Sequence, residues 1–267
     1  MKHSVHRILI YLKLYFCYAK LNLIKNLNYR INFLIGLIIN LAGSLVLFYF
    51  YDVVFDRLGA IGTWDKTHAM LLAGTYMIVE SLYIGLAFHS ISRFPKIILD
   101  GDLDDYLILP ISPRAALALQ EMDYGNILNA LFGIGLVYYF FPTSSISFSS
   151  LANYFIAILF GLIFLSNLLL LLMSFAFWFG RVDELRDALA WIMDLGARPA
   201  FIYPSILRNI FYWILPFFLI ANVPVEFLTG ERNWLNIFLF FFAIVPFYIG
   251  NKIVWHLGLR KYESASY

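Results

Sequence analysis

Apolar runs long enough to cross a bilayer recur from residue 31 to residue 256, and that constrains the fold more than any other feature of the chain. A helix rises ~1.5 Å per residue, so about 20 mostly apolar residues span the ~30 Å hydrocarbon core. The runs are continuous rather than alternating, which points to helices and away from a barrel. Composition agrees, with 62% hydrophobic and 13% charged residues, whereas a soluble domain carries ~25% charged residues. The expected class is an all-α polytopic membrane protein, a single transmembrane domain over 1–267 with no separate soluble unit. The single cysteine, Cys17, excludes an intrachain disulfide and a cysteine metal cage. Lys13, Lys20 and Lys25 interrupt the first thirty residues and no small-residue cleavage pattern follows, so an uncleaved first span is expected rather than a signal peptide.

Residues 1–30 read as an amphipathic interfacial helix. Val5, Ile8, Leu12, Phe16, Ala19, Leu23 and Leu27 recur at helical spacing, with the lysines elsewhere, facing lipid headgroups. Six transmembrane helices are expected at about 31–51, 69–91, 122–141, 151–179, 205–223 and 234–256. Lys and Arg concentrate in alternate connections: the N-terminal segment, 92–121 (Arg93, Lys96, Arg114), 180–204 (Arg181, Arg186, Arg198) and the C-terminal tail. The opposite set holds Arg57, Lys66 and Arg232. That bias places both termini and 92–121 in the cytoplasm. Residues 180–223 admit two arrangements. Either 180–204 is an interfacial helix before a span at 205–223, or it is itself the fifth span and a re-entrant element follows on the outer side. The charges of 180–204 favour the first, since each costs roughly 2.5–3.5 kcal/mol at mid-bilayer on the mildest scale.

Bond-making chemistry finds no support. The chain has no GxxxxGK[ST] phosphate loop, no paired histidines at helical metal-binding spacing and no GxSxG nucleophile turn. No catalytic residue, metal ligand or nucleic-acid partner is therefore expected. Glu80 falls inside the second apolar run, where it must face protein or a water-filled path. Asn129 and Asn167 pose the same problem more mildly. Two readings stay open for these residues: contacts along a substrate pathway for a cation or polar group, or structural hydrogen bonds between helices.

The connection 96-KIILDGDLDDYLILPISPRAAL-117 is dense in acids and prolines. Asp100 can cap a short helix whose first turn holds further acids, as the helix dipole favours. Leu103, Leu107 and Ile108 share a ridge, Pro110 ends the helix, and Pro113 suits the first turn of the next. Such a helix is either a knob for a partner protein or an ordinary solvated turn.

The pattern Gly101, Leu103, Asp104, Leu107 and Pro110 resembles the cytoplasmic segment of ABC-2-type transporter permeases, in particular a six-span "ABC-2 family transporter" subgroup. The later tract with Arg198, Pro199, Tyr203, Pro204, Leu215, Pro216, Pro224, Leu228 and Gly230 is similar to that subgroup as well. Relatives often carry a basic residue where Leu109 stands here. The resemblance implies a permease in a bacterial cytoplasmic (inner) membrane, in contact with lipid and paired with a second, same or similar permease. It also implies two copies of a P-loop ATPase that bind ATP and Mg, leaving no cofactor in this chain. Asp100, Gly101, Leu103, Asp104, Leu107 and Pro110 would then form the ATPase-coupling element within 92–121. The expected function is outward transport of a hydrophobic or amphipathic substrate. The rivals are a non-transporting assembly or regulatory subunit, and an integral-membrane lipid-modifying enzyme using Glu80 or the aspartates.

Overall fold

Runs of Leu, Ile, Phe and Val without internal breakers leave the backbone one way to satisfy its N–H and C=O groups in hydrocarbon, which is a helix. The computed structural model describes residues 2–61, 64–109, 111–118, 120–141 and 147–262, with side chains from Lys13 onward except that of Trp234. Helix α1 (Lys2–Asn28) precedes α2 (Arg30–Leu58). Helix α3 runs Lys66–Leu99 and contains a π-helical turn at Ile84–Phe88. Two short helices follow, α4 (Leu103–Leu107) and α5 (Pro113–Ala118), then α6 (Tyr124–Tyr139) and α7 (Phe148–Phe179). The remainder is α8 (Asp183–Gly196), α9 (Ser205–Asn209), α10 (Asn222–Leu228) and α11 (Ile237–Lys261). Among the described residues, α2, α3, α7 and α11 are long and apolar enough to cross a membrane.

Polar and aromatic contacts sort the connections into two ends of the bundle. At one end, Gly59 turns the chain with φ +68 and Asp65 caps α3 by accepting the His68 N–H at 2.9 Å. Partial burial works to raise the Asp65 pKa, but the hydrogen bonds from His68 win and hold it below the usual carboxylate range. Lys66 bridges Asp52 and Asp56 at 2.7 Å each, Trp64 meets Phe201, and His68 reaches Glu231 at 3.2 Å. At the other end, Phe94 stacks on Trp255, and the Tyr262 hydroxyl donates to the Gly101 carbonyl at 2.9 Å. Helix α1 joins this second end, where Asn22 donates to the Gln120 carbonyl and Tyr124 to that of Ala19.

Two expectations change. The stretch 205–223 is not one span. Helix α9 passes through a π-helical turn at Ile210–Ile214 and breaks at Leu215–Pro216, and a 3-10 turn, Phe217–Leu219, leads into α10. Pro216 has no N–H to continue the ladder, and the tip 217–220 is seated by glycine. A Cβ on Gly161 would lie 2.7 Å from the Leu219 carbonyl oxygen, and one on Gly196 would lie 2.9 Å from that of Phe217. Gly161→Val is therefore expected to lower thermal stability in detergent by about 1–3 kcal/mol through overpacking. The second change concerns 180–204, where the contacts fit the second of the two open arrangements. Gly180 sits beside Leu99 while Phe201 touches Trp64, so α8 runs from one end of the bundle towards the other. The charge argument misled because Asp183, Glu184, Arg186 and Asp187 all lie at the start of α8, where Arg186 pairs with Asp183 and Asp187. The segment 205–228 then forms a broken hairpin whose tip lies inside the bundle. The expected span at 122–141 corresponds to α6, which is 16 residues long.

Helices α3 and α6 pack through small residues. A Cβ on Gly133 would come within 2.7 Å of the Gly74 carbonyl oxygen, so the two backbones touch there.

Candidate functional site

Glu80 stands one turn beyond Tyr76 on α3, and side chains at i and i+4 share a helix face. Asp194, near the end of α8, meets them from across the bundle. The Tyr76 hydroxyl oxygen lies 2.9 Å from Asp194 Oδ1 and 3.4 Å from Glu80 Oε1. A phenol carries one proton, so it can donate fully to only one carboxylate at a time. The three side chains line a cavity of about 750 Å³ bounded by α2, α3, α6 and α8. Its apolar wall includes Leu47, Phe50 and Val54 of α2, and Arg198 is also on its lining.

Asn129 of α6 reaches the same cavity. Its amide donates to Ser44 of α2 and Ser81 of α3, at 3.0 Å each, and the Ser44 hydroxyl lies 3.2 Å from Asn129 Oδ1. Three helices are thereby tied at one depth. Asn167 lies elsewhere: its carbonyl oxygen is 3.3 Å from the Asn251 amide, so it links α7 to α11. The structure thus brings Glu80 and Asn129 together and places Asn167 in a different helix pair. Sequence reasoning passed over Tyr76 and Asp194. Tyrosine at i−4 from Glu80 was a usable signal, and Asp194 would have stood out had 180–204 been read as crossing the bundle.

Immediately beyond Glu80 comes the π-helical turn. It leaves the Gly85 carbonyl free to accept the Asp123 N–H at 2.9 Å, which joins α3 to the start of α6. A Cβ on Gly85 would lie 2.6 Å from Ile127, so only glycine permits this approach.

At the end of the bundle carrying residues 92–121, the acid-and-proline connection has a definite shape. Asp100 closes α3, its N–H donating to the Lys96 carbonyl at 2.9 Å, and its side chain does not cap α4 as expected. Gly101 adopts φ +80, the left-handed region that favours glycine. The expected ridge divides. Leu103 is fully buried, whereas Leu107 is 41% and Ile108 81% exposed. Asp104 occupies the first turn of α4. Pro110 lies outside the described residues. Among the described residues, no three His, Cys, Asp or Glu side chains converge to hold a metal ion.

Comparison with known proteins adds one match. The family model described as ABC-2 family transporter protein matches residues 38–266. No curated protein and no solved structure matches the chain.

Proposed function

The chain belongs to the ABC-2 family of transporter proteins, and from that premise we propose that it is the membrane subunit of an exporter driven by a separate P-loop ATPase. The chain has no phosphate loop of its own, so nucleotide chemistry falls to the partner. In this reading the end carrying residues 92–121 faces the cytoplasm, two permease chains pair, and two ATPase copies dock beneath them. The substrate is hydrophobic or amphipathic and moves outward.

One observation carries the reading: a short helix rooted in the core presents bare apolar side chains at the bundle end. Leu103 anchors α4 inside, while Leu107 and Ile108 are left outside. Tyr262, just past α11, holds the preceding loop through the Gly101 carbonyl. A partner that closes on ATP can push such a helix and shift the packing of the spans between two states.

The test uses the chain co-expressed with the ATPase subunit of its transporter. Leu107→Asp together with Ile108→Asp is expected to abolish ATPase co-purification and vanadate-sensitive ATP hydrolysis, with the chain still monodisperse in gel filtration because neither side chain is in the buried core. Leu103→Asp is unsuitable, since it would bury a charge. Intact association and hydrolysis in the double variant would reject the coupling role. Stable association with no stimulation of hydrolysis by any substrate would favour a non-transporting subunit.

A further inference from the structure

Behind the acid pair lies a second, smaller cavity of about 220 Å³. Tyr76, Glu80 and Asp194 line it together with Tyr83, Phe88 and Trp191. The Glu80–Tyr76–Asp194 cluster therefore borders both hollows. Tyr83 is 2% exposed, and its hydroxyl has no hydrogen-bond partner among the described residues. Buried hydroxyls almost always find a partner, because leaving one unpaired is costly. The two carboxylates show a matching shortage. Among the described residues, the single phenolic proton of Tyr76 is the only hydrogen bond offered to either.

Among the described residues, the smaller hollow thus offers no positive charge and no N–H hydrogen bond to either carboxylate, while Tyr83, Phe88 and Trp191 give it aromatic surface. Protonated amines supply what is missing: a cation, several donors directed at carboxylates, and alkyl groups that pack against Phe88 and Trp191 with a favourable cation–π term. A metal ion such as calcium would seek six or more oxygens and gain nothing from aromatic walls. An anion would be repelled. The smaller cavity is the size of about seven water molecules at ~30 Å³ each, enough for an ammonium head and its first carbons. The larger one continues along α2, from Ile39 to Phe55, a run of about 24 Å at helical rise. Leu47, Phe50 and Val54 there suit an alkyl or aryl tail. Arg198, also on that lining, disfavours the charged head away from the acids, so the ligand is oriented.

We infer that Glu80, Asp194 and Tyr83 form the headgroup site for an organic ammonium ion, which makes the cargo of this permease a hydrophobic amine. The inference rests on the proposed exporter reading and deepens it by naming the substrate class.

The probe is n-decylammonium, with n-decanol and decyl sulfate as uncharged and anionic controls, measured by equilibrium dialysis against the full chain in a non-ionic detergent. Saturable binding of decylammonium alone is expected, weakened about tenfold or more by Glu80→Gln with Asp194→Asn. Tyr83→Phe is expected to weaken binding while leaving the ligand-free chain equally or more stable, since it removes only the unpaired hydroxyl. Misfolding of the carboxamide pair, seen in gel filtration, is separated from site loss by this second variant. Equal binding of decanol, or decylammonium binding that neither variant weakens, would overturn the assignment. ATPase association of the same variants, read in the assay on Leu107 and Ile108, reports on the exporter reading independently. An intact complex that does not prefer the amine refutes only the substrate class.

Discussion

Arg232→Met is expected to cost about 3–5 kcal/mol, because it strands a buried carboxylate. For a chain of this size, that corresponds to a fall on the order of 10 °C in the unfolding temperature. The side chains of Arg232 and Glu226 are 18% and 9% exposed, and they pair directly. The guanidinium lies over the rings of Tyr212 at 4.6 Å and Phe240 at 5.2 Å. Tyr212 donates its hydroxyl proton to Glu226, and the Arg232 backbone N–H donates to the Glu226 carbonyl at 3.1 Å. One cation thereby ties the π-helical turn after α9, the helix α10 and the start of α11. Removing it leaves Glu226 charged in an apolar setting, or forces it to take up a proton. Adding Glu226→Gln should recover most of the loss, since a carboxamide still accepts from Tyr212 and carries no charge. If the double variant is no more stable than the single one, the buried-charge explanation fails.

Asn222→Leu has an expected cost of similar size for a different reason. Asn222 is fully buried at the start of α10. Its Oδ1 accepts the Ala200 N–H at 2.7 Å, and its amide donates to the carbonyls of Gly196 and Arg198 at 3.1 and 3.0 Å. The side chain thus completes the backbone hydrogen bonding where α8 ends and the hairpin tip rests. Leucine would leave three backbone groups unpaired, at about 1–3 kcal/mol each before any water enters. Limited proteolysis should then cut near 197–204 and 215–221 in the variant and spare the parent chain. Asn222→Asp keeps the acceptor and loses both donors, so it should also destabilise. A variant with native protease resistance and unfolding temperature would show that these bonds contribute nothing.

The long helices were legible because continuous apolar runs leave the backbone no alternative. The two prolines that look alike in the sequence were not. Pro246 is carried inside α11 without ending it, whereas the chain breaks at Pro216. What distinguishes them is distant: Gly161 and Gly196 leave room for the 217–220 tip, and Asn222 fastens it. The path of 180–204 stayed open between two arrangements, because a count of its charges carries no information about their depth. At the acid site, Glu80 announced itself as a lone carboxylate in an apolar run, but Asp194 was hidden while the path of 180–204 stayed open. Asn129 and Asn167 could not be told apart without knowing which neighbours their helices meet. The same holds for Leu103 and Leu107, which share a spacing and differ completely in burial.

Helix α2 buries only Ser44, Tyr51 and Phe55 among its own residues. Its tethers are correspondingly few: Ser44 to Asn129, the Tyr51 hydroxyl to the Ala197 carbonyl at 2.7 Å, and Asp52 and Asp56 to Lys66. Lipid tails are as apolar as its side chains, so no hydrophobic force presses this helix back against the rest. Swinging it outward would break these few hydrogen bonds, at about 1 kcal/mol each, and unseat Tyr51 and Phe55, the two apolar side chains that α2 buries in the core. On the α2 side, the larger hollow therefore has a door on a light latch.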